Sequence, residues 1–436
     1  MKIAIWGHEL TAWATAGLLA QAGNDVFLVN DTQISDPVTL MGSSIRNEPG
    51  LQDLITQQFE KQNLQFIHSG SASLLSTHII SMNPAAYDQA HQLVSGIARR
   101  RSDKPLSADQ QPGQQPDKLL IINQSHFGVG CTDKLQALLD IDKDQVVVYL
   151  AENISEGEAL KNIRQPKSLT FGSTNSWASM MTRALLRPFS SQLEQLLVMT
   201  PKEAEFAKLS ITGMLALRIG YINELANLAE QLDVDIDVIK QSLGADPRIG
   251  HHYLAPGCGF GGNIFSQTTK GLANLLSEKR QSQLLDTVLQ ENEKQKEQPF
   301  RKLWRHYECD IHKLNITLWG VSFKPGSAAL DSAPSIKIIN ALLAQQANIH
   351  IHDPEALENI EKLYGGHPQV HTYRDKYEAL NQSNALLLLT EWPEYASPDY
   401  EQMLERMQAP LIIDGRNLLS KELAQSLGFT YYGIGR

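Results

Sequence analysis

The sequence predicts an α/β chain in which two doubly wound parallel-sheet domains are joined by a long central helix and a helical middle domain. Three observations predict it. Short aliphatic runs alternate with helical segments up to about residue 150, a long stretch of helical periodicity fills 201–232, and the alternation resumes at Ile316. The expected domains are 1–200, 201–300 and 301–436.

The opening run Lys2 to Trp6 reads as a strand, followed by a turn and a helix that stops at Gln21-Ala22-Gly23-Asn24-Asp25; Val26 to Val29 reads as the next strand. Further strands are expected at 78–81, 119–122 and 146–149. Between them Arg101 to Asp117, rich in Gln, Pro, Asp and Ser, reads as a mobile surface loop inside the first domain. From Pro201 to Leu232 apolar residues such as Ala204, Ala207, Leu215, Ile219, Ile222, Leu225 and Leu228 recur at spacings of three and four, which makes one long helix able to meet a dimer partner. The second strand series runs through 316–320, 349–353, 385–390 and 411–414.

Composition excludes several classes. A 436-residue chain that is 42% hydrophobic has enough apolar material for more than one core. A net charge of −10 argues against nucleic-acid binding, and no apolar run approaches the length of a membrane span. The start carries no secretory apolar region, so a cytoplasmic location is expected. Cys131, Cys258 and Cys309 form no disulfide or metal-ligand pattern and are expected to be buried free thiols; no metal site is expected.

Several segments bear on chemistry. Gly7-His8-Glu9-Leu10-Thr11-Ala12 has the frame of a G-x-G-x-x-G phosphate loop with Glu9 in place of the middle glycine, which sets bulk and negative charge where a pyrophosphate would lie. Others are Glu48-Pro49-Gly50-Leu51, Glu152 to Gly157, Asn223-Glu224, Asp246 to Gly250, Pro256 to Phe265, Phe323-Lys324-Pro325, Thr390-Glu391-Trp392 and Asp414 to Asn417. In this order and spacing the chain resembles, over its whole length, the UDP-glucose/GDP-mannose dehydrogenase family, whose loop reads P-G-x-G-F/Y-G-G-S-C-F-P-K-D.

The resemblance implies two Rossmann-like domains, NAD as cofactor and a four-electron oxidation of a nucleotide sugar through a covalent thiohemiacetal on the loop cysteine. At that position stands Ile264, which has neither a lone pair nor a proton to give. The family's water-activating Asp aligns with Thr268 and its oxyanion Asn with Thr212, whereas Glu152 and Lys208 match the family's acid/base and oxyanion Lys. Glu152 is alternatively a solvated loop carboxylate. Cys258 as a displaced nucleophile is the lesser reading beside a buried thiol.

For the cofactor, the resemblance implies Gly7 in the phosphate turn, Asn30 where the ribose-binding Asp stands with Asp31 one residue away, His126 in place of a Thr near the nicotinamide, and Asp331 in place of an Arg. These changes imply that NAD binds weakly or not at all. For the substrate, it implies Glu156, Arg248, Gly257, Gly259, Gly261, Phe323, Lys324 and Arg416 around a nucleotide sugar. Arg248 is alternatively a helix-terminal salt-bridge partner.

Three functions follow. The first is a UDP-glucose 6-dehydrogenase-like pseudoenzyme that keeps a UDP-sugar pocket, homodimeric, serving polysaccharide or nucleotide-sugar metabolism beside an active dehydrogenase or synthesis partner. The second is an active NAD-dependent dehydrogenase with an altered mechanism using Glu152, Lys208 and His126. The third is a structural partner subunit without ligand.

Overall fold

The computed structural model describes residues 1–102, 118–152 and 154–436. The chain folds as two compact units, 1–210 and 211–436. The expected loop at 101–117 lies almost wholly outside the described residues, and Arg101 belongs to the helix Tyr87–Ser102.

The first unit carries an eight-stranded sheet: β1 Lys2–Trp6, β2 Asp25–Val29, β3 Leu64–Ile67, β4 Thr77–Ile80, β5 Leu119–Asn123, β6 Gln145–Ala151, β7 Ser168–Gly172 and β8 Gln195–Met199. Its order is β3-β2-β1-β4-β5-β6-β7-β8. Neighbours from β3 to β6 are parallel, β7 runs antiparallel to β6, and β8 is parallel to β7. The central strands are apolar on both faces, as burial between two helical layers requires. The helix Leu10–Gln21 lies deep in this packing, with every residue from Thr11 to Ala20 buried, and an added Cβ on Gly17 would come within 2.9 Å of Leu54 Cδ2. Small side chains on this helix are thus a packing requirement.

The second unit begins in the helix Pro201–Gln231, which spans the division at residue 210, and continues through helices Ile236–Ala245, Asn263–Arg280, Leu284–Gln295 and Gln298–His306. Its six-stranded sheet comprises β9 Asn315–Trp319, β10 Asn348–His352, β11 Val370–Thr372, β12 Ala385–Leu388, β13 Leu411–Asp414 and β14 Thr430–Tyr432, ordered β11-β10-β9-β12-β13-β14 and parallel throughout. That is the doubly wound nucleotide-binding order. The chain's last residues fasten this sheet to the helices: Ile236 N donates to Gly435 O at 2.9 Å, and Arg436 pairs with Asp237 at 2.6 Å. Two parallel-sheet α/β domains with a helical middle region are therefore present, as the sequence predicts. Among the described residues no helix is long and apolar enough to cross a membrane.

One buried group gives the first unit a pH dependence. His78 on β4 is fully enclosed; its Nδ1 accepts from Trp6 Nε1 at 3.1 Å, which leaves Nε2 as the donor to Leu75 O at 2.9 Å. Burial lowers its pKa from 6.5 to about 4, with the Leu75 carbonyl opposing and Arg101 adding to the fall. The unfolded chain therefore binds this proton first. Stability from His78 is complete above pH 6.5 and is lost as pH falls toward 4, by about 3 kcal/mol. Urea unfolding between these limits should show this slope in the parent protein and lose it in His78→Gln; equal slopes would refute the assignment.

Candidate functional site

In the first unit the turn after β1 needs glycine: Gly7 has φ +122°, and a Cβ there would lie 1.8 Å from Ser81 O. Glu9 follows as the residue before the helix Leu10–Gln21, with an exposed side chain that makes no capping bond. At the end of β2, Asn30 is engaged locally: its Oδ1 accepts from Thr32 N at 2.9 Å and Thr32 Oγ1 at 2.7 Å, and its Nδ2 donates to Ile34 O at 2.7 Å. Asp31 is turned to Ser69 N at 2.8 Å and His68 at 3.3 Å. Neither side chain is held free for a ribose.

At the ends of β5 and β6 the structure brings His126 and Glu152 together. His126 Nε2 is 2.7 Å from Glu152 Oε1, His126 Nδ1 is 3.2 Å from Tyr149 Oη, and Glu152 Oε2 accepts from Ile154 N at 2.6 Å. The two side chains are 5% and 8% exposed, which excludes the solvated-carboxylate reading of Glu152. Lys208 Nζ donates to the Glu152 main-chain carbonyl. Burial pushes the Glu152 carboxyl up, but the His126 hydrogen bond, the Lys208 charge and the Ile154 amide together hold it below the ordinary carboxylate range. Chemically this is an ionised carboxylate beside an imidazole, with a nearby ammonium and both carboxylate oxygens engaged. Glu156 lies in the next turn, which is fixed by Glu48: its carboxylate accepts from Gly157 N and Ala159 N, each at 2.6 Å. Sequence reasoning quoted Glu48 within a motif and assigned it no task.

In the second unit the loop 256–262 is buried and tied by side chains. Gly257 N donates to Asn223 Oδ1 at 2.9 Å and Gly257 O accepts from Gln295 Nε2 at 2.8 Å. Phe260 exchanges two bonds with the Asn292 amide, at 2.8 and 3.0 Å. Gly259 has φ +89°, and a Cβ on Gly261 would come within 2.7 Å of Ser332 O, so both glycines are required. Asn292 and Gln295 were missed by sequence reasoning; on a helix thirty-odd residues away they carry no local signal.

Ile264 follows in the first turn of the helix Asn263–Arg280, half-buried. Thr268 and Thr212 are buried, and Thr268 Oγ1 has no hydrogen-bond partner. Phe323 covers the loop: a Cβ on Gly262 would be 2.8 Å from its ring. Lys324 Nζ is 5.7 Å from the centre of that ring. Arg416 reaches the loop with Nη1 3.4 Å from Gly259 O, while its Nε donates to Leu389 O at 2.8 Å beside Glu391 at 3.0 Å. Its Nη2 is buried without a partner.

Asp331 is exposed, and its main-chain carbonyl accepts from Gly262 N at 2.8 Å. Arg248 is 86% exposed and paired to Asp246 at 2.6 Å, the geometry of its salt-bridge reading. Cys258 is enclosed with Sγ 3.7 Å from Leu389 O, and burial raises its pKa, so its thiol is a core group. The expectation of three buried thiols is corrected at the other two. Cys131 is half-buried and Cys309 is exposed, because Cys309 lies in a turn with φ +71° beyond the helix Gln298–His306. No group of three or more His, Cys, Asp or Glu able to hold a metal occurs among the described residues.

Comparison with known proteins agrees with this arrangement. Residues 202–294 match the model of the UDP-glucose/GDP-mannose dehydrogenase family central domain, and residues 317–421 that family's UDP binding domain. The UDP-glucose 6-dehydrogenase of Pseudomonas aeruginosa is 29% identical over 450 aligned residues, covering 100% of this chain and 98% of its own. That of Rhizobium meliloti is 26% identical, with both chains fully covered. The UDP-glucose dehydrogenase structure from Pyrobaculum islandicum shares the fold with a TM-score of 0.80 at 22% identity, covering 100% of this chain and 97% of that one.

The Asn292 amide serves both backbone groups of Phe260 inside the core. Asn292→Ala should cost about 2–4 kcal/mol by orphaning them, and Asn292→Asp, which keeps the bond from Phe260 N but sets a buried carboxylate oxygen against Phe260 O, should cost at least as much. Chemical unfolding measures both, and an Ala variant within 0.5 kcal/mol or so of the parent would refute the role.

Proposed function

Because the chain belongs to the UDP-glucose/GDP-mannose dehydrogenase family, we propose that it is a UDP-glucose 6-dehydrogenase-like pseudoenzyme that binds a nucleotide sugar and no longer oxidises it. The observation that carries this reading is the contrast inside the second unit. The buried glycine loop keeps its scaffold and a guanidinium with an unpartnered Nη2, yet the helix that leaves it begins with Ile264. Arg416, with Lys324 beside Phe323, supplies the charge and planar donors that a diphosphate or sugar hydroxyl takes. Gly257, Gly259 and Gly261 give the backbone its path, and Glu156 and Arg248 are retained as further substrate residues. Glu152 and Lys208 are the acid/base and oxyanion positions still filled; Thr212 and Thr268 are positions where that chemistry has gone.

The residues present do not fit NAD well. Glu9 sets a carboxylate at the helix start, and Asn30 and Asp31 are satisfied by their own surroundings. Binding is therefore proposed weak or absent, and no step is routed through the cofactor. The three-part division at 200 and 300 is kept as the functional division, in a cytoplasmic setting of nucleotide-sugar or polysaccharide metabolism. One observation favours the alternative of an active dehydrogenase with another mechanism: His126, Glu152 and Lys208 are assembled at one place.

A homodimer is proposed through the long helix, on which Ile211, Met214, Tyr221 and Leu228 recur on one face with exposures of 51, 59, 59 and 47%. Sedimentation equilibrium should find a dimer that Met214→Glu weakens; a parent protein that remains monomeric at tens of micromolar rejects it.

The central test is calorimetric. UDP-glucose should raise Tm and NAD should not, since a ligand bound only by the native state stabilises it. Lys324→Ala or Arg416→Ala should weaken UDP-glucose binding by about 1.5–3 kcal/mol, with Lys324 the cleaner probe because Arg416 also holds main-chain carbonyls. No NADH should form from UDP-glucose, and Ile264→Cys alone should not restore it. Stabilisation by NAD with none by any UDP- or GDP-sugar would reverse the assignment, and enzyme-dependent NADH would establish the alternative.

A further inference from the structure

The first unit contains a partly open apolar pocket that shares only Glu152 with the residues of the nucleotide-sugar reading. It holds about 60 Å³ of space open to small molecules, and its walls include Leu19, Ile79, Leu150, Ile163, Leu185 and Phe189. Such a lining makes a poor home for water, which needs two to four polar partners, whereas dry apolar cavities of sufficient size take up small apolar molecules. By the room that one water requires, this volume accommodates roughly four to six groups of that size.

The polar groups on the wall narrow the choice of occupant. Thr15 Oγ1 and Gln124 Oε1 face each other at 3.4 Å, well beyond the usual separation of an O–H···O bond. A ligand hydroxyl set between them gains bonds that the pair makes poorly alone. Glu152 also lines the cavity, with its two oxygens already committed to His126 and Ile154. An anion is repelled there, and a cation has to leave water for an aliphatic chamber without a free counter-charge.

We propose that this cavity is a binding site for a small uncharged amphiphile, of the class of a four- or five-carbon alcohol, whose chain lies among the leucines and isoleucines and whose hydroxyl bonds to Thr15 and Gln124. The site is formed by residues of the first unit alone. It stands or falls independently of sugar-nucleotide binding.

Titration of the methyl-labelled full chain with 1-butanol, and separately with xenon as a probe needing no hydrogen bond, tests it by NMR. Saturable shifts should centre on the methyl groups of Leu19, Ile79, Leu150 and Leu185, with xenon and 1-butanol competing. Thr15→Val should weaken 1-butanol by about five- to tenfold, as loss of one hydrogen bond implies, and leave xenon unchanged. Leu169→Phe, which adds bulk to the wall, should abolish both. Shifts that grow linearly without saturating, shifts centred elsewhere, or undiminished binding by a folded Leu169→Phe protein would overturn the proposal. Should that variant not fold, competition in the parent protein and the Thr15→Val contrast decide it.

Discussion

The loop from Pro256 to Gly262 has no strand ladder or helix of its own, yet it is buried, and a buried backbone must find partners for its amides and carbonyls. It finds them in side chains. Asn223 from the long helix takes the Gly257 amide, Gln295 the Gly257 carbonyl, and Asn292 both groups of Phe260, while Gly415 at the end of β13 takes the Cys258 amide at 2.8 Å. Three helical amides and one strand end therefore dictate where the chain runs. Arg416 is placed by the same arrangement, since it follows Gly415 directly and bonds back to the loop at Gly259. The Ile264 side chain takes no part in this frame, since none of these bonds passes through it.

Buried carboxylates play a related part across the molecule. Glu205 closes the start of the helix Cys131–Gln136 by accepting from Gly130 N and Thr132 N; Glu48 does so before the helix Ala159–Arg164; Asp414 accepts from Arg416 N and Leu419 N. These acids complete turns by accepting from main-chain amides, with the Thr132 hydroxyl added at Glu205 and the Tyr431 hydroxyl at Asp414. Glu152 is different because it faces an imidazole as well as an amide. Removing either member of that pair leaves a buried polar group unpaired, which is costly whether or not the pair moves a proton. Stability loss in a His126 or Glu152 variant is therefore no evidence of catalysis.

The strands read correctly from sequence are those buried on both faces, such as Ile3 to Trp6, Leu119 to Ile122 and Leu411 to Ile413, whose aliphatic runs have one physical explanation. Missed strands are short or of mixed polarity: Leu64–Ile67, Ser168–Gly172, Gln195–Met199, Val370–Thr372 and Thr430–Tyr432. Direction was also out of reach, since the alternation of side chains is the same in an antiparallel β7 as in a parallel one. The pairing of His126 with Glu152 was closer to legible. Parallel β5 and β6 place Asn123 opposite Tyr149, and the same offset carried three residues onward sets position 126 beside 152. That inference needs the strand register, which hydrophobic pattern alone does not give. Arg248 shows the opposite limit, because a motif match cannot tell a ligand's cation from one paired with Asp246.

Two sheets wound in the same order, β3-β2-β1-β4-β5-β6 and β11-β10-β9-β12-β13-β14, meet the same steric demand after the strand that comes first in each sequence, β1 and β9. Gly7 is pressed against Ser81 O, and Gly320, with φ +82°, would place a Cβ 2.5 Å from that of Thr390. They differ in how they treat an anion. In the second unit Asp353, at the end of β10, accepts from Val321 N at 2.7 Å and Ser322 N at 3.0 Å, so the amides of the turn that a phosphate would seek already hold an internal carboxylate. In the first unit the corresponding position after β2 is Asn30, folded onto Thr32 and Ile34, and the negative group at the turn is the exposed Glu9. A diphosphate approaching the second sheet thus gains little from the β9 turn. On the proposed nucleotide-sugar reading, its affinity would have to come from side-chain cations such as Lys324 and Arg416, because the amides of that turn are already taken.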